Sequence, residues 1–300
     1  MSNKQLIAHA FAISAIAFTF SVSAQAAASR TFVATTGSDA NTAVNCSATA
    51  NCRTFGAALS VTSAGGEVVV LNSGGYGPAL IGQPVIITAT GIDASISVTT
   101  SGGNGLTIST SGNVTLTGLN LHGEATGANG VMVEQVGFLR LFNVLIENFT
   151  NDGIQFNVAG KLAIYGSAIN DNTADGLQIQ NGSALAYVHN TSFDNNGNGV
   201  EVASGFATVT DSDAHNNKTN AFLADGGNLT LYNDRAIFNV TGFATSSGGK
   251  LYFANCLLSN NTTAYNVGAS TTMSGSNPGT TLIAPGQTET GTLSAAVALQ

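Results

Sequence analysis

The sequence predicts an all-β solenoid, and three observations carry that prediction. They are a repeat of about 23 residues, apolar residues spaced two apart inside each repeat, and turns made of Gly, Asn, Asp and Ser. Each repeat opens with a turn residue, a small residue and an apolar one. The clear openings are Asn104-Gly105-Leu106, Asn129-Gly130-Val131, Asp152-Gly153-Ile154, Asp175-Gly176-Leu177 and Asn198-Gly199-Val200. Looser copies stand at Asn220-Ala221-Phe222, Thr241-Gly242-Phe243 and Ala264-Tyr265-Asn266. After Gly153 the apolar residues are Ile154, Phe156, Leu162, Ile164 and Ile169. After Gly130 they are Val131, Val133, Leu139, Leu141 and Ile146. Spacing by two is strand periodicity, because alternate side chains share a face. Short strands broken by such turns leave no length for an amphipathic helix. Three strands per repeat, each with one apolar face, bury that face only by stacking coil on coil at about 4.8 Å, as a parallel β-helix.

The elements follow in order. Residues 1–26 read as a secretory signal peptide: Lys4, an apolar run from Leu6 to Val22, and Ala24-Gln25-Ala26 as a small-x-small cleavage site. Ser14, Thr19 and Ser21 interrupt the run, which favours cleavage over a membrane anchor. Residues 27–76 read as an N-terminal cap and first strand. There Phe55, Ala58, Leu59 and Val61 share one side of a short helix that Gly65-Gly66 stops, placed to cover the strand edges of the first coil. Residues 77–275 hold the β-helix repeats, and 276–300 form a C-terminal tail ending in the apolar Leu293-Ser294-Ala295-Ala296-Val297-Ala298-Leu299. Asn148, Asn172, Asn196, Asn217, Asn239 and Asn261 recur near the coil ends and predict a stacked amide ladder.

Composition agrees. Gly reaches 36 of 300 residues, charged residues are 8%, Trp is absent, and the formal net charge is −8. An acidic chain of this kind has no electrostatic case for nucleic acid. Once the signal is removed, Lys4 leaves with it and no apolar stretch remains that would cross a membrane as a helix. In an oxidising compartment the short spacing of Cys46 and Cys52 predicts a disulfide, and Cys256 beside Leu257 reads as a small buried thiol.

One segment lies outside the repeat. Gly37-Ser38-Asp39-Ala40-Asn41 leads through the cysteines to Thr54-Phe55-Gly56-Ala57-Ala58, then Gly65-Gly66-Glu67-Val68-Val69-Val70, Gly74-Gly75-Tyr76 and Gln83-Pro84-Val85-Ile86-Ile87. This opening resembles the N-terminal segment of right-handed β-helix proteins of the pectate-lyase-like superfamily. The resemblance spans nearly all of the chain after residue 26. Together with the handedness of parallel crossovers it implies a single-stranded, right-handed parallel β-helix with an N-terminal helical cap. It implies no single activity, since the superfamily includes lyases, hydrolases, esterases, epimerases and non-catalytic proteins. Neither the Trp-containing aspartate motif of pectate lyases nor the Asn-Thr-Asp, Asp-Asp, Gly-His-Gly and Arg-Ile-Lys set of polygalacturonases occurs, so no family catalytic residue transfers to a position here.

Three candidate surfaces emerge. The first strand of successive coils exposes Glu134, Gln155, Asn157, Gln178, Gln180, Glu201 and Asp225, a row of amides and carboxylates suited to sugar hydroxyls; its alternative is a solvated strand face. Within it Glu201 and Asp225 stand on adjacent coils, at a spacing compatible with inverting glycoside hydrolysis. The second surface is a corner with His189, Asp211, Asp213, Asp234 and Arg235. There carboxylates can hold Ca²⁺ while His189 or Arg235 takes a proton; the alternative is a salt-bridged turn. The third is an apolar strip of Phe142, Tyr165 and Val188, to be covered by the tail or by self-association. The reading is an exported protein, periplasmic or secreted, that binds a polysaccharide or cell-surface glycan without cleaving it, or serves as a structural surface protein, and needs no cofactor. A polysaccharide lyase or glycoside hydrolase is the alternative, and only there is Ca²⁺ expected.

Overall fold

The computed structural model describes residues 26–275 and 281–294. Residues 1–25 of the expected signal peptide and the apolar tail residues 295–300 lie outside the described residues. The chain winds through three parallel sheets in rotation, one strand per sheet per coil. Sheet A has eleven strands, from Ala28–Val33 to Thr272–Gly275. Sheet B has ten, from Gly74–Gly75 to Leu282–Ile283, and sheet C has ten, from Ala79–Ile81 to Thr288–Thr290. The solenoid thus begins inside the segment assigned to the cap and runs past residue 275.

The inward residues stack by register. Leu139, Leu162 and Ala186 form one column and Leu141, Ile164 and Val188 the next, all in the core. Ile154 sits between Val131 and Leu177. The repeat Gly is dictated by this stacking: a Cβ on Gly153 would stand 2.4 Å from Ile169 Cγ2 and 2.7 Å from the Gly176 carbonyl oxygen. Turn residues in left-handed backbone explain the Asn and Asp between sheets, among them Asn190, Asp211 and Asn233 at φ 50°, 53° and 59°.

The amide ladder runs through Asn172, Asn196, Asn217, Asn239 and Asn261 and ends on Gln287. Each side-chain oxygen accepts the main-chain N–H of the preceding rung, as Asn239 Oδ1 does from Asn217 at 2.9 Å. Asn148 is not a rung. It is exposed in left-handed backbone, and Phe149 takes the buried position, its N–H donating to Asn172 Oδ1. The ladder row lies one residue further along in that coil.

The helix Phe55–Val61 buries Phe55, Ala58 and Leu59, with Val61 packed partly buried beside them. Thr54 caps it by accepting the Ala57 N–H at 3.2 Å, and the Asp39 carboxylate receives the N–H groups of Arg53 and Thr54. It ends at Val61, before Gly65-Gly66, because the second strand of sheet A starts at Thr62 and pairs with the first. Cys46 and Cys52 are joined in this region with their Cα atoms 4.9 Å apart. Cys256 is a buried free thiol, pushed up to about 12 by burial.

Candidate functional site

The outer face of sheet A carries aromatic rings in register. Its third outward row reads Thr117, Phe142, Tyr165, His189, Thr210 and Tyr232. Phe142 and Tyr165 stack at 5.1 Å between centroids with planes 8° apart. Tyr187 in the neighbouring row lies 5.8 Å from Tyr165 and stacks on His189 at 6.3 Å. Phe206 and Tyr232 extend the surface and are exposed. Val188 does not belong to the strip. It is fully buried against Ile164, and His189 pairs with Tyr165 in its place. The turn before strand Ala184–His189 holds an extra residue, which the following turn between sheets B and C gives back, so the period of the sequence stays unchanged. This shift also turns Leu185 and Tyr187 outward.

The strands of sheet A from Val85–Thr88 to Lys250–Ala254 contain no carboxylate, while Arg140, Lys161 and Lys250 project from them. On a chain of net charge −8 this is a marked segregation of charge.

The His189–Arg235 corner lies where sheet A turns into sheet B. An open hollow of about 420 Å³ is lined there by Asn190, Asp211, Asp213, Asn233, Asp234 and Arg235, among others. The side chains are already engaged. Arg235 forks onto both oxygens of Asp213, which raises the guanidinium's affinity for its proton. Asp234 is fully buried; Oδ1 accepts the Ser212 N–H and Oδ2 the Tyr232 N–H, both at 2.8 Å. Burial pushes its carboxyl up to about 7. His189 Nδ1 lies 3.0 Å from Thr210 Oγ1 and 3.2 Å from Asp211 Oδ2, and Asn233 donates to Asp211 Oδ1 at 2.6 Å. No group of three or more His, Cys, Asp or Glu among the described residues is arranged to hold a metal ion. With Asp213 tied to Arg235 and Asp234 to the main chain, this donor set does not fit Ca²⁺. An arginine whose proton is held by Asp213 makes a poor base.

On sheet C, Gln155, Gln178 and Glu201 stand in one register row as expected. They are half-buried and bonded among themselves and to the coil openings: Gln155 to Gln178 at 3.4 Å, Gln178 to Asp175 at 3.1 Å, Glu201 to Asn198 at 3.0 Å. Glu134 and Gln180 are exposed, and Asn157 Oδ1 is buried with no hydrogen-bond partner among the described residues. Asp225, two residues beyond the register partner of Glu201, accepts from Ser246 Oγ at 2.6 Å.

In the sequence Asp152 and Asp175 read as turn residues only. Both are buried beside this row, inside a ladder of opening residues. Asn129 donates to Asn104, the Asp175 N–H to Asp152 Oδ1, Asn198 to Asp175 Oδ1, and Asn220 to Asn198. Burial raises Asp152 and Asp175 to about 6, and burial with the charge of Asp175 raises Glu201 to about 7. Hydrogen bonding to Ser246 lowers Asp225. The readable signal was Asp in place of Asn at two adjacent openings.

The family model for the right handed β-helix region matches residues 85–236, just over half of the chain. The chain belongs to the right-handed β-helix family. Among solved structures, this right-handed β-helix protein is similar to the crystal structure of pectate lyase Pel9A. The TM-score is 0.60 and the identity 15%, over 82% of this chain and 79% of that one. At that identity the likeness is one of fold. No curated protein matches this chain. No helix among the described residues is long and apolar enough to cross a membrane.

Proposed function

We propose that this β-helix protein binds a polysaccharide without cleaving it, with the glycan laid along the outer face of sheet A. The observation that carries this reading is the run of contacting rings from Phe142 through Tyr165 and Tyr187 to His189, stacked at both ends and tilted between Tyr165 and Tyr187. Rings in register on a rigid sheet present a continuous apolar strip along the solenoid axis, against which the C–H groups of sugar rings can pack. The sheet C row is the weaker surface, because its amides and carboxylates already bond one another. The pectate lyase of similar fold acts on a polysaccharide by its name, which supports a glycan as ligand. We infer export from the signal-like residues 1–26.

Affinity electrophoresis through gels containing soluble polysaccharides tests this directly. Wild-type protein is retarded by at least one polymer, and replacing both Tyr165 and Tyr187 with Ala removes the retardation. Replacing Gln155 and Gln178 with Ala leaves it in place. If the tyrosine variant is retarded like wild type, sheet A is not the binding face.

One observation favours a second reading, glycoside hydrolysis. Glu201 holds its proton near neutral pH while Asp225 on the next coil is readily ionised, the split in acidity that a general acid and a base require. Release of reducing ends that Glu201→Gln abolishes would establish hydrolysis; release unaffected by that change would exclude this pair.

A further inference from the structure

At the N-terminal end of the sheet A face, a hollow of about 500 Å³ is lined by Pro84, Ile86, Asn113, Thr115 and Arg140, with Gly65 and Gly112 on its rim. That volume suits one small ring system. Ile86 is 42% exposed, so the hollow has an open apolar wall. Arg140 lies with its guanidinium 3.7 Å from the centroid of the Phe138 ring. Stacking on an aromatic face fixes the plane of the fork and leaves its N–H groups free to donate.

The other three arginines are already engaged. Arg30 pairs with Glu67, Arg235 with Asp213, and Arg53 donates to the Gly75 carbonyl. Arg140 has no carboxylate or carbonyl partner among the described residues. The nearest acidic neighbour by register, Glu67 beside Ile86, is held by Arg30 at 2.6 Å and by Thr88 at 3.0 Å. A forked cation, oriented by a ring and set in a hollow that also offers an amide and a hydroxyl, is the arrangement that receives a planar or tetrahedral oxyanion.

The geometry points to an anion subsite here, one that takes a single acid-bearing sugar of the bound polysaccharide. Its carboxylate or sulfate meets Arg140, with Asn113 and Thr115 beside it, and its ring lies against Pro84 and Ile86. The inference rests on the glycan-binding reading and adds the charge of the ligand and the place where that charge is read.

Affinity electrophoresis in polygalacturonate, in a sulfated galactan and in a neutral galactan separates the possibilities. Expected is stronger retention by at least one acidic polymer than by the neutral one. Arg140→Gln then weakens that retention about tenfold, with the neutral polymer and the melting temperature unaffected. Arg140→Lys restores it only in part, since the charge returns without the fork. Ile86→Glu, at an exposed position, gives the same selective loss by repulsion and serves where the arginine variant is unstable. The acidic polymer that responds tells carboxylate from sulfate. Equal retention of all three polymers, or acid-selective retention that neither substitution changes, overturns the subsite while glycan binding stands. Retention by none of the three overturns the subsite, and the binding reading falls with it when the other soluble polysaccharides also leave the protein unretarded.

Discussion

Asp175 and Glu201, on adjacent coils, are joined through one amide: Asn198 Nδ2 donates to Asp175 Oδ1 at 2.9 Å and to Glu201 Oε2 at 3.0 Å. No cation touches either carboxyl among the described residues. Burial and the charge of Asp152 place Asp175 at about 6, and burial with the charges of Asp175 and Asp225 places Glu201 at about 7, against roughly 4 in an unfolded chain. The folded state therefore keeps protons that the unfolded chain releases. This contribution is fully present below about pH 4 and is lost as pH rises through 6 to 7. Asp175→Asn should stabilise the protein at pH 8 by on the order of 1–3 kcal/mol and change little at pH 4. Urea unfolding of both proteins at the two pH values checks this. A variant less stable than wild type at pH 8 would contradict the assignment.

The amide ladder carries buried hydrogen bonds that nothing else replaces. Asn217 accepts from the Asn196 N–H and donates to the Phe193 carbonyl and to Asn239 Oδ1, each at 2.9 Å. Asn217→Ala strands the first two groups and should cost about 2–4 kcal/mol. Asn148→Gly, off the ladder and in left-handed backbone, should lie within about 0.5 kcal/mol of wild type. Equal losses from the two substitutions would show that the ladder is not what holds these coils.

Phe238 has φ 62° and is 59% exposed, where the coils on either side place Asn216 and Asn260 in the same left-handed turn. A phenylalanine there is strained without compensating burial. Phe238→Asn should raise stability by about 1 kcal/mol, read as a rise in the thermal midpoint. An unchanged or lower midpoint would mean that the ring makes an interaction in solution that offsets the strain.

Ile164 is fully buried between Leu141 and Val188 on the neighbouring coils. Ile164→Ala should cost about 2–5 kcal/mol, and Ile164→Asp, an unpaired buried charge, should unfold several coils together. Circular dichroism through a thermal ramp distinguishes cooperative loss from local fraying; an Asp variant melting like wild type would show that this position is not core.

The stacking was legible because it is written locally. Ile154, Phe156, Leu162 and Ile164 alternate within a few residues, and each points inward as that alternation requires. The opening Gly and the Asn-rich turns also declare themselves, since close approach of coils and left-handed backbone each admit few residue types. Fold class and the strand faces in most coils thus belong to the sequence by itself. What only the tertiary structure decided is which residues meet across coils, as Gly66 does with Val85, 19 positions apart, and Val85 with Val114, 29 positions apart. One extra residue before strand Ala184–His189, returned in a later turn, leaves the period intact yet sends Val188 inward and sets His189 against Tyr165. Asp152 and Asp175 resemble ordinary turn residues, and Asp234 a member of an open corner, until neighbouring coils close over them. Burial and pairing across coils set their acidity, and the free guanidinium of Arg140 is visible only once the partners of every other arginine are known. Periodicity is a property of neighbours along the chain, whereas register and desolvation belong to neighbours in space.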